Sequence, residues 1–175
     1  SIKDLRSPIN GWFSHENPFN FQNEYSQSNS LEKFRSGTPH VLSMSTMTDS
    51  LNITLSAGTI NLDIKREKMI IFFNKLFESF LEKRNFKRES PIDMSMIGSH
   101  VTISHDHSWR ICKALMNPKN GKRIIVDFRP ERFIRIAITP LYSTFYEIYY
   151  LVNRLIEIID TKEYDNHDNS RDLVT

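Results

Sequence analysis

This sequence of 175 residues contains a single cysteine, Cys112, five glycines and a formal net charge of only +2. One cysteine excludes an internal disulfide and fits a reducing compartment. The 23 basic and 21 acidic residues are interspersed, so no charged segment favours nucleic acid as a partner. No apolar run reaches the roughly 18–20 residues that span a bilayer, and the first residues lack the apolar core of a signal peptide. These absences indicate a cytoplasmic protein with neither a nucleic-acid nor a membrane partner.

The composition is otherwise that of a globular protein, with 39% hydrophobic and 25% charged residues. The length predicts one domain or a fragment of a larger one. The chain starts at Ser1 rather than Met, and this, taken with the resemblance described below, suggests that its start lies inside a longer protein or follows processing. No internal repeat is visible.

A charged residue lies inside an apolar strand near the C-terminal end. β-branched and aromatic residues at positions 133–138 predict a strand that stops before Pro140. Alternation places three isoleucines on one face, and Arg135 with Ala137 on the other. The isoleucine face fits a core. The Arg135 face fits a cleft, where the planar guanidinium suits a carboxylate or phosphate bound through two hydrogen bonds.

The alternative for Arg135 is a structural ion pair at the surface, with Glu131 as its nearest acidic neighbour before the strand. A ligand clamp requires that the guanidinium points into a cleft and that no protein carboxylate binds it bidentately. An Arg135 already paired with Glu131 or another carboxylate would argue against the clamp.

The first 36 residues form a long irregular segment with several aromatic residues. Trp12 offers one indole N–H and no acceptor, so it either donates to a phosphate or only anchors the loop. Thr38 is a reasonable N-cap and Pro39 a reasonable first residue for a helix over about 41–56, whose start would favour an anion. The helical spacing predicts a buried stripe made of Met44, Met47, Leu51 and Leu55.

The remaining pattern alternates helices and short strands. Residues 57–59 break the first helix, and a long amphipathic helix follows over about 61–84. A strand is predicted over 99–104, a helix over 109–116 with Cys112 on its buried side, and a buried strand over 124–126. His105 and His107 lack the further ligands of a metal site. Thr144 and Glu147 form a capping box before a final helix, and the polar tail from 161 is expected to fray.

Three segments carry a family resemblance, in the same order along the chain. They are Gly11-Trp12-Phe13-Ser14-His15, then Gly37-Thr38-Pro39, and then Arg135–Tyr142 preceded by Val126–Arg129. Over about residues 9–160 the sequence resembles kynureninase, a pyridoxal-phosphate hydrolase of the fold-type I aminotransferase superfamily. The resemblance implies an α/β fold, specifically the C-terminal part of a fold-type I PLP-dependent enzyme. Residues 1–60 would end the large domain, 61–84 would form an interdomain helix, 85–160 the small α/β domain, and 161–175 a polar tail.

The resemblance also implies an activity for the complete enzyme. This is the hydrolysis of L-kynurenine, or 3-hydroxykynurenine, to anthranilate, or 3-hydroxyanthranilate, and L-alanine, in tryptophan catabolism and NAD biosynthesis. The complete enzyme is expected to be a homodimer. In it, Arg135 would hold the substrate carboxylate, while Trp12 and Thr38 would hold the phosphate of pyridoxal 5'-phosphate.

The resemblance assigns no catalytic residue to this chain. The Schiff-base lysine of kynureninases lies well upstream of the Gly-Trp segment, and Lys3 does not match its context. We therefore expect the chain to be inactive on its own and to contain no metal site. Two alternatives stay open at this point: another class V-type PLP enzyme, similar to cysteine desulfurases or aminotransferases, or a non-catalytic truncated remnant.

Overall fold

The computed structural model describes residues 4–170, and the chain divides between Ser56 and Ala57 into two compact units. The α-helices are α1 (Val41–Ala57), α2 (Thr59–Leu76), α3 (Ser108–Met116) and α4 (Phe145–Asp160). The strands are β1 (Lys87–Arg88), β2 (His100–Ser104), β3 (Asp127–Arg129) and β4 (Phe133–Ala137). Among the described residues, no helix is both long enough and apolar enough to cross a membrane.

The first unit is irregular apart from α1. It contains two short 3-10 turns, Trp12–Ser14 and Leu31–Phe34, and an isolated bridge between His15 and Gln27. The side chains buried within it are polar: Ser14, Ser28 and Lys33. Lys33 is 1% exposed, and its Nζ donates a 3.1 Å hydrogen bond to the Leu5 carbonyl. Local polar contacts and the ring contacts among Trp12, Phe13 and Phe19 hold this unit together, without a fully buried apolar side chain among its described residues.

Helix α1 has the predicted extent, but two predictions about it are wrong. The apolar stripe of Met44, Met47, Leu51 and Leu55 is 54–68% exposed, because no other element of the first unit covers it. The cap at its start is not Thr38. His40 precedes the first helical residue, and its Nδ1 accepts a hydrogen bond of 3.1 Å from the Ser43 N–H. Gly58, with a φ of 80°, separates α1 from α2 as the sequence predicts.

The second unit is a four-stranded antiparallel sheet with helices against one face. The strand order is β1-β2-β4-β3, so β4 lies between β2 and β3. In this register Arg135 is opposite Thr102 on one side and Asp127 on the other. The fold is therefore α/β, as predicted, with a small sheet and flanking helices.

The hydrophobic core lies on the isoleucine face of that sheet. Ile134 and Ile136 are 0% and 5% exposed, and Val101 and Ile103 of β2 are fully buried beside them. The helices supply the rest of the core, including Met69, Phe73, Ile111, Leu115, Val152 and Leu155. A fully buried side chain of this size contributes roughly 1.5–3 kcal/mol. The helical spacing predicts an apolar face that includes Met69, Phe73 and Phe80 in the long helix, and another that includes Phe145, Val152 and Leu155 in the final helix. Most of each face is buried in this core, but Phe80 and Phe145 are 40% and 41% exposed, so the predicted faces are confirmed only in part.

Two further predictions in this unit need correction. Residues 124–126 do not form a strand. The Ile124 N–H donates instead to the Leu115 carbonyl at 2.9 Å, and Ile125 is 77% exposed. The tail does not fray at 161. A 3-10 helix, Glu163–Asn166, follows α4, and the Arg154 guanidinium binds both carboxylate oxygens of Glu163 at 3.1 and 3.2 Å. Residues 171–175 lie outside the described part of the chain.

Candidate functional site

Arg135 is placed by the β3–β4 hairpin. Alternation along β4 turns Ile134 and Ile136 into the core and leaves the Arg135 side chain, 38% exposed, on the opposite face. Directly across the sheet lies Asp127 of β3. The guanidinium therefore lies on the open face of the sheet, where the sequence placed it.

Asp127 contacts Arg135, and this pairing was not anticipated. One oxygen, Oδ2, accepts a hydrogen bond from Nη2 of Arg135, so the contact is not bidentate. The same oxygen accepts hydrogen bonds from Nε and Nη2 of Arg129, at 3.1 and 2.8 Å. Nε of Arg135 is buried and has no hydrogen-bond partner among the described residues. The expected structural partner was Glu131, and the pairing with Asp127 is of the kind that argues against a clamp. It nevertheless leaves part of the guanidinium unused.

Asp127 could have been found from the sequence by treating residues 127–135 as a hairpin. Asp127 and Arg135 lie at equal sequence separations from Glu131 at the turn, so they face each other across the two strands. The sequence analysis predicts a strand over 124–126 instead, which ends one residue before Asp127 and so leaves Asp127 outside any strand that could pair with Arg135.

A cleft of about 630 Å³ opens beside Arg135 within the second unit. Its lining includes the basic side chains of Lys122, Arg123 and Arg135, and also His100 and the aromatic Tyr142 and Tyr150. The two acidic residues in the lining already have partners. Asp127 contacts arginines, and Glu147 closes the capping box of α4, with Oε2 accepting from the Thr144 N–H at 2.8 Å. The cleft therefore favours an anionic ligand with an apolar or aromatic part.

Trp12 is presented by a tight turn in the first unit. Buried Ser14 stabilises this turn, because its hydroxyl accepts from the Gly11 N–H at 3.0 Å and donates to the Gly11 carbonyl at 2.6 Å. The indole packs edge-on against Phe19, with ring centroids 5.6 Å apart, and stays 49% exposed. A half-exposed indole held in this way can donate its N–H to a ligand.

Thr38 lies three residues before α1 and is exposed. No acidic residue occupies the first turn of that helix, so the helix dipole is not neutralised there by a nearby carboxylate. Trp12 and Thr38 belong to the first unit and Arg135 to the second.

The cysteine and the two neighbouring histidines of the second unit have surroundings that fit a structural role and not a catalytic one. Burial, with a smaller contribution from Asp127, raises the pKa of the Cys112 thiol to about 12, which makes it a poor nucleophile at neutral pH. Across residues 4–170, no group of three or more His, Cys, Asp or Glu side chains is arranged to hold a metal ion. The His105 ring contacts Phe86 and His107, with centroids 4.8 and 5.5 Å apart.

Comparison with known proteins identifies the family. Residues 62–155, more than half of the chain, match the family described as kynureninase C-terminal domain. The chain is 33% identical over 168 residues to a kynureninase of Bacillus mycoides, which covers 95% of the chain and 38% of the relative. It is 32% identical over 166 residues to a kynureninase of Geobacillus thermodenitrificans, covering 94% and 38%. For a kynureninase of Shouchella clausii, the identity is 32% over 171 residues, covering 97% and 39%.

The α/β fold and the matched region define the C-terminal portion of a larger enzyme, because the chain spans about two fifths of the length of the curated relatives. The chain belongs to the kynureninase family. The alternative of another class V-type enzyme, similar to cysteine desulfurases or aminotransferases, is not favoured by these matches.

Proposed function

We propose that this chain is the C-terminal portion of an enzyme that hydrolyses L-kynurenine, or its 3-hydroxy derivative, to anthranilate, or 3-hydroxyanthranilate, and L-alanine. In this proposal Arg135 binds the α-carboxylate of the substrate. The observation that carries it is the position of Arg135 in the wall of a cleft rich in positive charge, on the sheet face opposite the core.

The lining of the cleft suits both ends of such a substrate. A guanidinium can bind a carboxylate through two hydrogen bonds, and the neighbouring Lys122 and Arg123 add positive charge. Tyr142 and Tyr150 offer aromatic surface in the same cleft. The Tyr150 hydroxyl accepts a 2.7 Å hydrogen bond from the Lys122 N–H, which ties the basic segment to α4.

The cofactor of the proposed reaction is pyridoxal 5'-phosphate, with Trp12 and Thr38 as ligands of its phosphate. Both side chains carry a hydrogen-bond donor and are exposed within their unit, so they fit an anionic ligand. When bound, this cofactor supplies an electron sink for the substrate carbon that carries the amino group. The lysine that would bind it covalently is expected outside this chain, so the chain on its own is proposed to be inactive. The complete enzyme is proposed to act as a cytoplasmic homodimer.

Arg135→Lys in the complete enzyme tests the proposed clamp. A lysine keeps the charge but cannot form two parallel hydrogen bonds to one carboxylate. Charged hydrogen bonds contribute roughly 1.5–3 kcal/mol each, so kcat/KM for L-kynurenine should fall on the order of 10²-fold, while the free energy of unfolding changes little.

Arg84→Lys is the matched control. Arg84 binds both oxygens of Asp160, at 2.7 and 2.5 Å, and lies outside the described lining of the cleft. This control should keep its kcat/KM. If Arg135→Lys instead loses stability and retains activity per folded molecule, Arg135 is a structural residue and the clamp assignment is wrong.

A further inference from the structure

The pairing of Arg135 with Asp127 affects how a ligand can reach the Arg135 guanidinium. Nη2 is shared by the two edges through which a guanidinium can bind a carboxylate with two hydrogen bonds. Asp127 already accepts from that nitrogen. A substrate carboxylate on either edge would therefore share Nη2 with Asp127, and two carboxylates at one nitrogen repel each other.

We propose that Asp127 is a positioning residue that holds Arg135 in the cleft wall as a substitute for the substrate carboxylate and releases it when the substrate binds. This inference rests on the clamp role proposed above for Arg135. It adds a residue that competes with the ligand and thereby sets the affinity for it.

Arg129 makes this exchange possible at low cost. It donates two hydrogen bonds to the same Oδ2, of 3.1 and 2.8 Å, so Asp127 keeps a cationic partner when Arg135 turns to the ligand. A carboxylate left without any partner would resist the exchange more strongly. Arg129 lies outside the described lining of the cleft, so its effect on the ligand would pass through Asp127.

The partial exposure of these side chains limits how strongly Asp127 can compete with a ligand for Arg135. The side chains of Arg135, Asp127 and Arg129 are 38%, 43% and 53% exposed, so solvent screens the pair and Asp127 cannot hold Arg135 tightly. The pair is strong enough to order the guanidinium and weak enough for a carboxylate ligand to replace it. Nε of Arg135 is buried and has no hydrogen-bond partner among the described residues, so the pair with Asp127 does not use every donor of the guanidinium.

The test compares two variants with opposite expected signs in the complete enzyme, with L-kynurenine as the substrate. Asp127→Asn keeps the shape but removes the competing charge, so KM should fall by about 2- to 5-fold, the range expected for an exposed ion pair. Arg129→Gln removes the alternative partner of Asp127, so Asp127 should hold Arg135 more firmly and KM should rise by a similar factor. In the double variant the increase caused by Arg129→Gln should disappear, since its effect passes through Asp127.

A merely structural role would not give this pattern. Loss of folding lowers the amount of active enzyme, and therefore the apparent kcat, but it does not lower KM. Asp160→Asn is the control, because Asp160 is a 49% exposed partner of Arg84 outside the described lining of the cleft. Its KM should be that of the wild type.

The outcomes separate this inference from the proposed function. An unchanged or higher KM in Asp127→Asn, or an unchanged KM in Arg129→Gln, overturns the role of Asp127 while the effect of Arg135→Lys stands. If Arg135→Lys leaves kcat/KM at the wild-type value, the clamp itself is wrong, and the role of Asp127 fails with it.

Discussion

The two units of this chain use apolar residues in opposite ways. In the second unit, the stripe of α4 that includes Val152 and Leu155 is buried in a core shared with the sheet and with α2 and α3. In the first unit, the stripe of α1 has similar helical spacing but is exposed along its length, and Phe19 and Phe21 are 64% and 85% exposed. Helical periodicity therefore predicts a helix in both units, but it predicts burial only where another element is present to cover the stripe.

This contrast bears on local stability. Each fully buried Phe or Leu of the second unit contributes roughly 1.5–3 kcal/mol. The first unit relies on hydrogen bonds such as those of Ser14 and Lys33, which contribute a net of roughly 1 kcal/mol each. The first unit should therefore open more readily than the second. The two tryptophans can report this separately, since Trp12 lies in the first unit and Trp109 in the second.

The largest effect is expected from truncating the core of the second unit. Phe73 is fully buried, so Phe73→Ala should lower the free energy of unfolding by about 3–5 kcal/mol. Phe21→Ala, at an 85% exposed position in the first unit, should change it by less than about 0.5 kcal/mol. Urea titrations of Phe73→Ala are followed by Trp109 fluorescence in a Trp12→Phe background, and those of Phe21→Ala by Trp12 fluorescence in a Trp109→Phe background, so each variant is measured in its own unit. Similar losses in the two variants would show that the first unit also contains a stabilising apolar core.

A smaller difference is expected between two ion pairs, one in each unit. The Arg154–Glu163 pair is buried, with 6% and 10% of the side chains exposed, whereas the Arg35–Glu32 pair is 39% and 61% exposed. Glu163→Ala should cost about 3 kcal/mol, at the low end for a broken buried pair, because Glu157 still contacts Arg154 at 2.5 Å. Glu32→Ala should cost less than about 1 kcal/mol. Thermal unfolding followed by circular dichroism compares the stabilities of the two variants. Equal losses of stability would contradict the difference in burial between the two ion pairs.

Much of the second unit can be predicted from the sequence because its signals are local. Alternation in β4 correctly separates the isoleucines from Arg135, and the spacing of Thr144 and Glu147 correctly gives the start of α4. What sequence reasoning missed depends on long-range geometry. The partner of Arg135 follows from the β3–β4 register, and the order of the tail follows from its contacts with α3 and α4.

The first unit is less predictable for the same reason. The extent of α1 follows from the sequence, but the exposure of its stripe depends on what surrounds the helix. The roles of Trp12, Thr38 and Arg135 stay predictions, since they depend on ligands and on the rest of the enzyme. Arg135 is the one of the three whose sheet face and cleft are both defined within one unit, and its pairing with Asp127 is the observation that counts against the clamp.

The smallest predicted effect concerns the pH dependence of the second unit. His105, 8% exposed in the second unit, has its pKa lowered mainly by burial and further by His107, while Asp106 and the backbone of Arg84 act in the opposite direction. Its Nδ1 also accepts a 3.0 Å hydrogen bond from the His107 N–H, which a proton on that nitrogen would break. The neutral ring is therefore the form that fits the fold.

The sign of the pH dependence follows from this preference. Because the folded pKa lies below 6.5, the ordinary value for a histidine, the unfolded chain takes up the proton first as the pH falls. The contribution of His105 to stability should be complete above the unfolded pKa and should be lost as the pH drops through 6.5 toward the folded value. Unfolding followed by Trp109 fluorescence at about pH 8 and about pH 5.5 measures the loss, and His105→Gln should reduce it, since glutamine does not titrate. A wild-type stability that rises on acidification, or an unchanged loss in His105→Gln, would show that another group governs the acid response of this unit.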